Sequence, residues 1–579
     1  MSFLWTAESR ARSLAPLASL VILFGFAFPG FAQARPANGS NIPSTPKAIS
    51  SDAQAWLHGA IDEGKFPELR WPDFSDYSKH LKRFYELNGY SLWWIRGQEP
   101  IPQARQMIAL LLQSDLKGLS PDDYDGPRWH DRLAKLKPLA QQPSESDAVK
   151  FDLALTVCSM RYVSDLHIGK VNPNRLAFRV DDESKKYDLA EFLKDHVVNA
   201  ADVSAALAQV EPQYPGYRRT IQALQKYIEF AKEDDGEQLP PVKKAIVPGG
   251  SYPGVPRLAR LLRLVGDLPA DANVPADHVI YDGALVNAVK NFQRRLGRDP
   301  NGRIDAQTVA DLNVPLSRRV RQMQLTLERW RWLPSSYQKA PIVVNIPEFR
   351  LRAYGKDFQI GVTMKVVVGK ALGHGTPVFS DTMQYVVFRP YWEVPPSITR
   401  GELIPHIVRD PDYLAKKDFQ VVDNHENVVT AGAVSSEVLD QLRAGRLSIR
   451  QRPGPRNSLG LVKFVFPNSF NVYLHDTPAP ELFAKSRRDF SHGCIRLERP
   501  ADLAAWVLRD NPGWTPERIR AAMNGSASQR VTLAHPIPVL IVYATVIVLE
   551  DGVVHFYDDI YGHDTALEKV LAKGYPYPW

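Results

Sequence analysis

The stretch GVTMKVVVG, residues 361–369, decides how the C-terminal half of this chain is read. Val362, Met364, Val366 and Val368 alternate with the residues between them, the period of two that a half-buried β-strand requires. Further strand-like runs lie at 342–346, 350–354, 385–388, 462–466 and 472–474, and the chain closes with two more at 538–549 and 552–557. Together they predict a mainly β domain over 340–579. A polar, partly helical insertion at 397–456 interrupts the series and is placed to act as a lid over a site. A short helix at 501–508 is introduced by Pro500, a residue whose missing N–H costs nothing in a first helical turn.

Toward the N-terminus the period changes. Apolar residues recur at three- and four-residue spacing around 107–112, 151–166 and 217–230, which predicts a mainly helical scaffold domain over 53–247. An acidic, proline-bearing connector at 233–250 leads to a small helical unit at 251–314. There Val289, Phe292 and Leu296 share one face, and Asn301-Gly302 marks a turn. A linker helix follows within 316–339, where Val320, Met323, Leu327 and Trp330 form an apolar stripe suited to packing between domains. The expected fold class is multidomain α+β.

The 579 residues exceed what one hydrophobic core supports, so roughly two to four domains are expected. With 44% hydrophobic and 23% charged residues the composition excludes a fibre, a disordered chain and a polytopic membrane protein. A net charge of +7 suits attraction to an anionic polymer, and a solvated basic surface explains it equally well. No arginine-aromatic stripe or basic tail points to nucleic acid. Arg10 and Arg12 precede the apolar run from Leu14 to Phe31, and Ala32-Gln33-Ala34 follows, the order of a secretory signal over 1–34. An uncleaved membrane anchor is the alternative; a flexible leader at 35–52 comes next. The expected location is therefore the periplasm, with the membrane involved only through that first segment. An exported protein with only two cysteines, Cys158 and Cys494, has no disulfide framework. Cys158 lies on the apolar face of a helix and reads as a buried structural thiol.

Cys494 sits elsewhere, in NVYLHDTPAPELFAKSRRDFSHGCIRLERPADLAAWVL, residues 471–508. A thiol attacks well only as thiolate, and His475, at the end of a predicted strand, can take its proton and return it to a departing amine. Gly493 beside the thiol lets backbone N–H groups approach a bound carbonyl and hold a developing oxyanion. Competing readings are a structural thiol and a zinc site made of Cys494, His492 and His475, which lacks a fourth ligand at familiar spacing. A papain-like peptidase places its cysteine before its histidine, the reverse of the order here. His492 is read as a loop-packing residue, with a second base as the alternative.

The string SHGCIRL (491–497), with YLHDTP (473–478) upstream, resembles the catalytic signature of L,D-transpeptidases. VVVGKALGHGTPVFSDTMQYVVFRPYWEVPPSI (366–398) and RPGPRNSLGLVKFVFP (452–467) are similar to the large multidomain periplasmic branch of that family, as are FYELNGYSLWWI (84–95) and YVSDLHIGKVNP (162–173) in the scaffold. Residues 282–313 resemble a small peptidoglycan-binding module through Ala288, Val289, Phe292, Gln293, Gly302, Ile304, Thr308, Leu312 and Asn313. The resemblance implies Cys494 as nucleophile, His475 as proton acceptor and donor, and an oxyanion hole from the backbone of His492, Gly493 and Cys494. Ser491 and Arg496 would shape the loop and contact substrate, and a group near His475 would fix its tautomer. Asp476 replaces the glycine of many relatives and leaves the orientation of His475 open. The implied reaction is ping-pong acyl transfer from a tetrapeptide stem through a thioester, giving a 3→3 cross-link with release of D-alanine, with carbapenems as acylating mimics and no cofactor or metal. Implied partners are peptidoglycan stem peptides and glycan, with cell-wall synthases and D,D-carboxypeptidases as candidate protein partners. The alternatives are a non-catalytic peptidoglycan-binding wall protein and an L,D-carboxypeptidase acting on the same bond.

Overall fold

The helical periodicity of the first half becomes a layer built around one buried rod. In the computed structural model, which describes residues 48–577 apart from 98, 137–143, 181–184, 186, 276, 335–338 and 372, helix α1 (Glu145–Ile168) runs through the scaffold with every residue from Phe151 to Leu166 buried. Its 24 residues span about 36 Å at the usual rise. A helix enclosed on all sides must satisfy its polar residues internally. Asp152 accepts from the Tyr85 hydroxyl at 2.8 Å and the Trp94 N–H at 2.7 Å, while Arg161 donates to the carbonyls of Trp71 and Asp73. Cys158 is fully buried in this core. The signal segment at 1–34 lies outside the described residues, and among the described residues no helix is long and apolar enough to cross a membrane.

Helix α2 (Pro215–Glu233) packs against α3 (Leu316–Trp332), whose Met323 and Leu327 are fully buried while Val320 and Trp330 lie at the edge of the same contact. Tyr281, Leu285, Val289, Phe292 and Ile304 of the small helical unit join that core. A hairpin of Val546–Val548 and Val554–Phe556 completes it, and Arg295 donates to the Val554 carbonyl at 3.2 Å. The apolar run at 538–549 is thus not one strand but two elements separated by a turn at 543–545. Asn345 holds that turn by donating to the Ala544 carbonyl and accepting from its N–H, at 2.9 and 2.8 Å.

The β domain is a mixed sheet that closes on itself. Its strands are β1 (Phe178–Arg179), β2 (Ile342–Asn345), β3 (Arg350–Tyr354), β4 (Ile360–Gly369), β5 (Val378–Phe388), β6 (Val462–Val465), β7 (Leu474–His475), β8 (Asp489–Ser491), β9 (Ile495–Leu497) and β10 (Gln529–Val542). Their order is β6-β7-β9-β4-β3-β2-β10-β5-β1, and β6 also pairs with β5 to close the ring. β7 runs parallel to β9, β10 parallel to β2, and β8 adds parallel to β4. β1 comes from the helical half and pairs with β5 through Phe178↔Val378 and Arg179↔Phe379, so the β domain borrows a strand from the first half. The alternation in β4 holds only from Met364 to Val366. Val366, Val367 and Val368 are all fully buried, because β9 and β8 and the helix at Pro500–Val507 cover this end of the strand.

The insertion departs from its polar appearance. It folds as a four-stranded antiparallel sheet of Trp392–Glu393, Ser448–Gln451, Phe419–Val422 and Val428–Thr430, flanked by short helices. Val394, Leu403, Ile404, Ile407, Leu414, Phe419, Val421, Leu442 and Ile449 give it a small core of its own.

Candidate active site

Two parallel strands set the geometry. β7 pairs with β9 through Leu474↔Ile495 and His475↔Arg496, so His475 lies beside Arg496, two residues beyond Cys494. The imidazole is buried, and its Nδ1 donates to the Asp476 carbonyl at 2.5 Å. That bond fixes the tautomer and leaves Nε2 as the acceptor. Burial, then Arg496, then Lys463 from the facing position on β6, push the imidazole down to about 3. His475 is therefore a neutral ring throughout the physiological range.

Cys494 is half-buried, with Sγ 3.7 Å from the Asn471 carbonyl. Burial raises its thiol above the ordinary value, and the Tyr473 N–H and hydroxyl, Lys463 and Arg496 oppose that rise. The Tyr473 ring carries the Lys463 ammonium on its face at 3.8 Å, and its hydroxyl reaches Sγ and Trp392 at the root of the insertion. The resting couple is a neutral thiol beside a neutral imidazole.

The loop before β9 is held in place from both sides. Ser491 Oγ donates to the Cys494 carbonyl at 2.5 Å and accepts from the Gly493 N–H at 3.2 Å. Gly493 has φ +118°, a conformation that a Cβ disfavours. Its carbonyl accepts from Thr376 Oγ1 at 2.8 Å, and Thr376 Oγ1 accepts from the Gly369 N–H at 2.9 Å. A side chain at Gly369 would put its Cβ 2.0 Å from the His374 carbonyl, so β4 can end against this loop only with glycine. Tyr561 completes the clamp by donating to the Gly369 carbonyl and accepting from the Thr376 N–H, at 2.5 and 3.2 Å.

The structure thus brings together Cys494, His475, Ser491, His492, Gly493, Arg496 and Asp476. The Asp476 carboxylate does not face the imidazole: it accepts from the Leu461 N–H at 2.8 Å and the Thr477 N–H at 2.7 Å, and it is the backbone carbonyl that orients His475. Arg496 is half-buried, and its Nε finds no partner among the described residues. His492 faces outward, with Nε2 2.5 Å from Glu402 of the insertion and its ring 4.8 Å from that of His374. Sequence reasoning missed Lys463, Asn471, Tyr473, Thr376, Tyr561 and Glu402. Tyr473 and Thr376 stand inside quoted motifs, whereas Tyr561 and Glu402 carry no local signal. Cys158 and Cys494 are both free thiols.

Known proteins share segments of this sequence. Residues 339–528 match the family model described as "L,D-transpeptidase catalytic domain", 79–224 match "Scaffold domain", and 251–312 match "Putative peptidoglycan binding domain". A Haemophilus influenzae protein named "Putative L,D-transpeptidase" is 31% identical over 263 residues, which is 45% of this chain and 52% of that protein. The chain thus spans about half the length of that curated relative. A solved L,D-transpeptidase from Xylanimonas cellulosilytica is 14% identical, covers 52% of this chain and 100% of its own, and superposes with a TM-score of 0.15, too low to carry an argument. Residues 339–528 thus match an L,D-transpeptidase catalytic domain, behind segments that match a scaffold domain and a peptidoglycan-binding domain.

Proposed function

We propose that this protein is an extracytoplasmic L,D-transpeptidase that forms 3→3 cross-links in peptidoglycan. The observation that carries the reading is the pairing of β7 with β9, which sets a tautomer-fixed His475 opposite Arg496, two residues beyond the half-buried Cys494. In the first half-reaction Sγ attacks the carbonyl of the diamino acid at stem position three as His475 Nε2 takes the thiol proton. The depressed basicity of that ring makes its protonated form a strong acid, ready to protonate the departing D-alanine amine. Both shifts disfavour a standing thiolate–imidazolium pair, so the proton moves only as charge passes to a bound carbonyl. The Gly493 N–H is held by Ser491 Oγ, so the N–H groups of His492 and Cys494, in a loop shaped by Gly493 at φ +118°, are the proposed cradle for that oxyanion. In the second half-reaction the side-chain amine of another stem takes the acyl group from sulfur. The thioester conserves the activation of the bond, so the chain's own residues suffice.

Incubation with tetrapeptide-stem fragments should release D-alanine, place an acyl adduct on Cys494 and form dimers. Cys494→Ala should abolish all three; products that persist in this variant would overturn the reading.

A further inference from the structure

The insertion delivers a carboxylate to the loop that carries the thiol. Glu402 lies in the turn Thr399–Leu403 near the start of the insertion, and its Oε1 is 2.5 Å from Nε2 of His492, two residues before Cys494. Neither partner is closed off: 51% of the Glu402 side chain and 29% of the His492 side chain reach solvent. The surroundings of His475 are different in kind. There His475 is buried between Lys463 on β6 and Arg496 on β9, so the groups bordering it are cationic. An exposed acid–imidazole pair and a covered cationic flank suit two substrates of unlike charge. The stem peptide that acylates sulfur brings carboxylates; the stem peptide that resolves the thioester brings a side-chain ammonium, which has to be held and deprotonated before its nitrogen can attack.

We propose that Glu402, carried by the insertion, forms with His492 the acceptor subsite, where it binds the primary ammonium of the second stem and the pair takes its proton. This rests on the transpeptidase reading of Cys494 and deepens it. The acceptor arrives as an ammonium, and one proton passes to the Glu402–His492 pair, leaving a neutral amine. Its nitrogen attacks the thioester carbonyl; the C–N bond forms, the C–S bond breaks, and the electron pair goes to sulfur. The second proton lost by nitrogen passes through His475 to Sγ, which restores the thiol, and the proton held by the pair is released to solvent. The insertion is then more than a cover against water: it supplies the group that selects an amine over water as the acceptor.

The experiment uses the full chain with a tetrapeptide-stem donor and, as acceptor, a second stem carrying a free side-chain amine. It reads the acyl adduct on Cys494 by intact-protein mass spectrometry, the ratio of dimer to hydrolysed tripeptide, and the KM for each substrate. In Glu402→Gln the acceptor KM should rise and the dimer-to-tripeptide ratio fall, each by about 100-fold, the lower end of what a positioned general base contributes. The donor KM should move by less than about twofold. Glu402→Lys should fall further, Glu402→Asp should recover part of the ratio, and Glu437→Gln, on the separate helix Ser436–Arg443 of the insertion, should match the native protein. Two outcomes overturn the inference while leaving the transpeptidase reading intact: an unchanged ratio in both Glu402→Gln and Glu402→Lys, or donor and acceptor KM rising together, the mark of a residue that only supports the loop. Absence of any adduct on native Cys494 overturns the transpeptidase reading itself.

Discussion

Cys158 and Cys494 are chemically the same residue placed in two opposite settings. Both thiols are pushed upward by burial, and Cys158 far more so, because α1 is enclosed on every side, Asp125 adds to the rise and Arg132, Arg161 and Arg128 only partly oppose it. Around Cys494 the same penalty is opposed by an N–H, a phenol and two cations, and one side of the sulfur stays open. What separates the inert thiol from the candidate nucleophile is therefore not a lower starting value but the presence of groups that stabilise negative charge as it forms, next to a base whose proton is already committed elsewhere.

The contrast breaks most sharply at the base. His475→Asn removes the proton acceptor while leaving the thiol in place, and kcat for D-alanine release should fall by about 10²–10⁴-fold, with little change in donor KM. A loss below about tenfold would mean that another group takes the thiol proton. The contrast sharpens under alkylation. In the native protein iodoacetamide should label Cys494 and spare Cys158 until the protein is denatured. Because burial raises the Cys494 thiol, labelling should be slow at pH 7 and rise by about tenfold per pH unit toward pH 9; fast labelling that levels off near neutrality would instead reveal a standing thiolate. The smallest effect belongs to the scaffold thiol. Cys158→Ala leaves a small void in a filled core and should cost about 1 kcal/mol in denaturant unfolding, with D-alanine release at the native rate.

Much of this was legible in the chain itself. The period of two in 361–369 and the helical spacing of 151–166 located the two halves, and the string from Tyr473 to Leu497 contains the thiol, the imidazole, the loop glycine and the serine that staples it. Other features were hidden for physical reasons. The insertion's strands are only two to four residues long, as in Ser448–Gln451 with its buried Ile449 between polar neighbours, too short for a period to register. Tyr561 stands 192 residues from the Gly369 carbonyl it bonds, and Glu402 stands 90 residues from His492. Such contacts exist only after the sheet has closed. Asp476 shows the limit of substitution reasoning: its side chain serves the neighbouring turn, while the carbonyl that any residue would supply orients the imidazole.

The borrowed strand β1 has a consequence for dissection of the protein. Phe178 and Arg179 occupy the outer edge of β5 at Val378 and Phe379, where the ring is not closed by β6. A fragment cut to begin at the family-matched segment would leave those amide and carbonyl groups bare, and with them the apolar face that Phe178 and Trp332 shield. Unpaired edges of this kind recruit further chains. Solubility of the isolated β half should thus depend on the first half, because trimming down to residues 339–528 removes the strand that covers this edge.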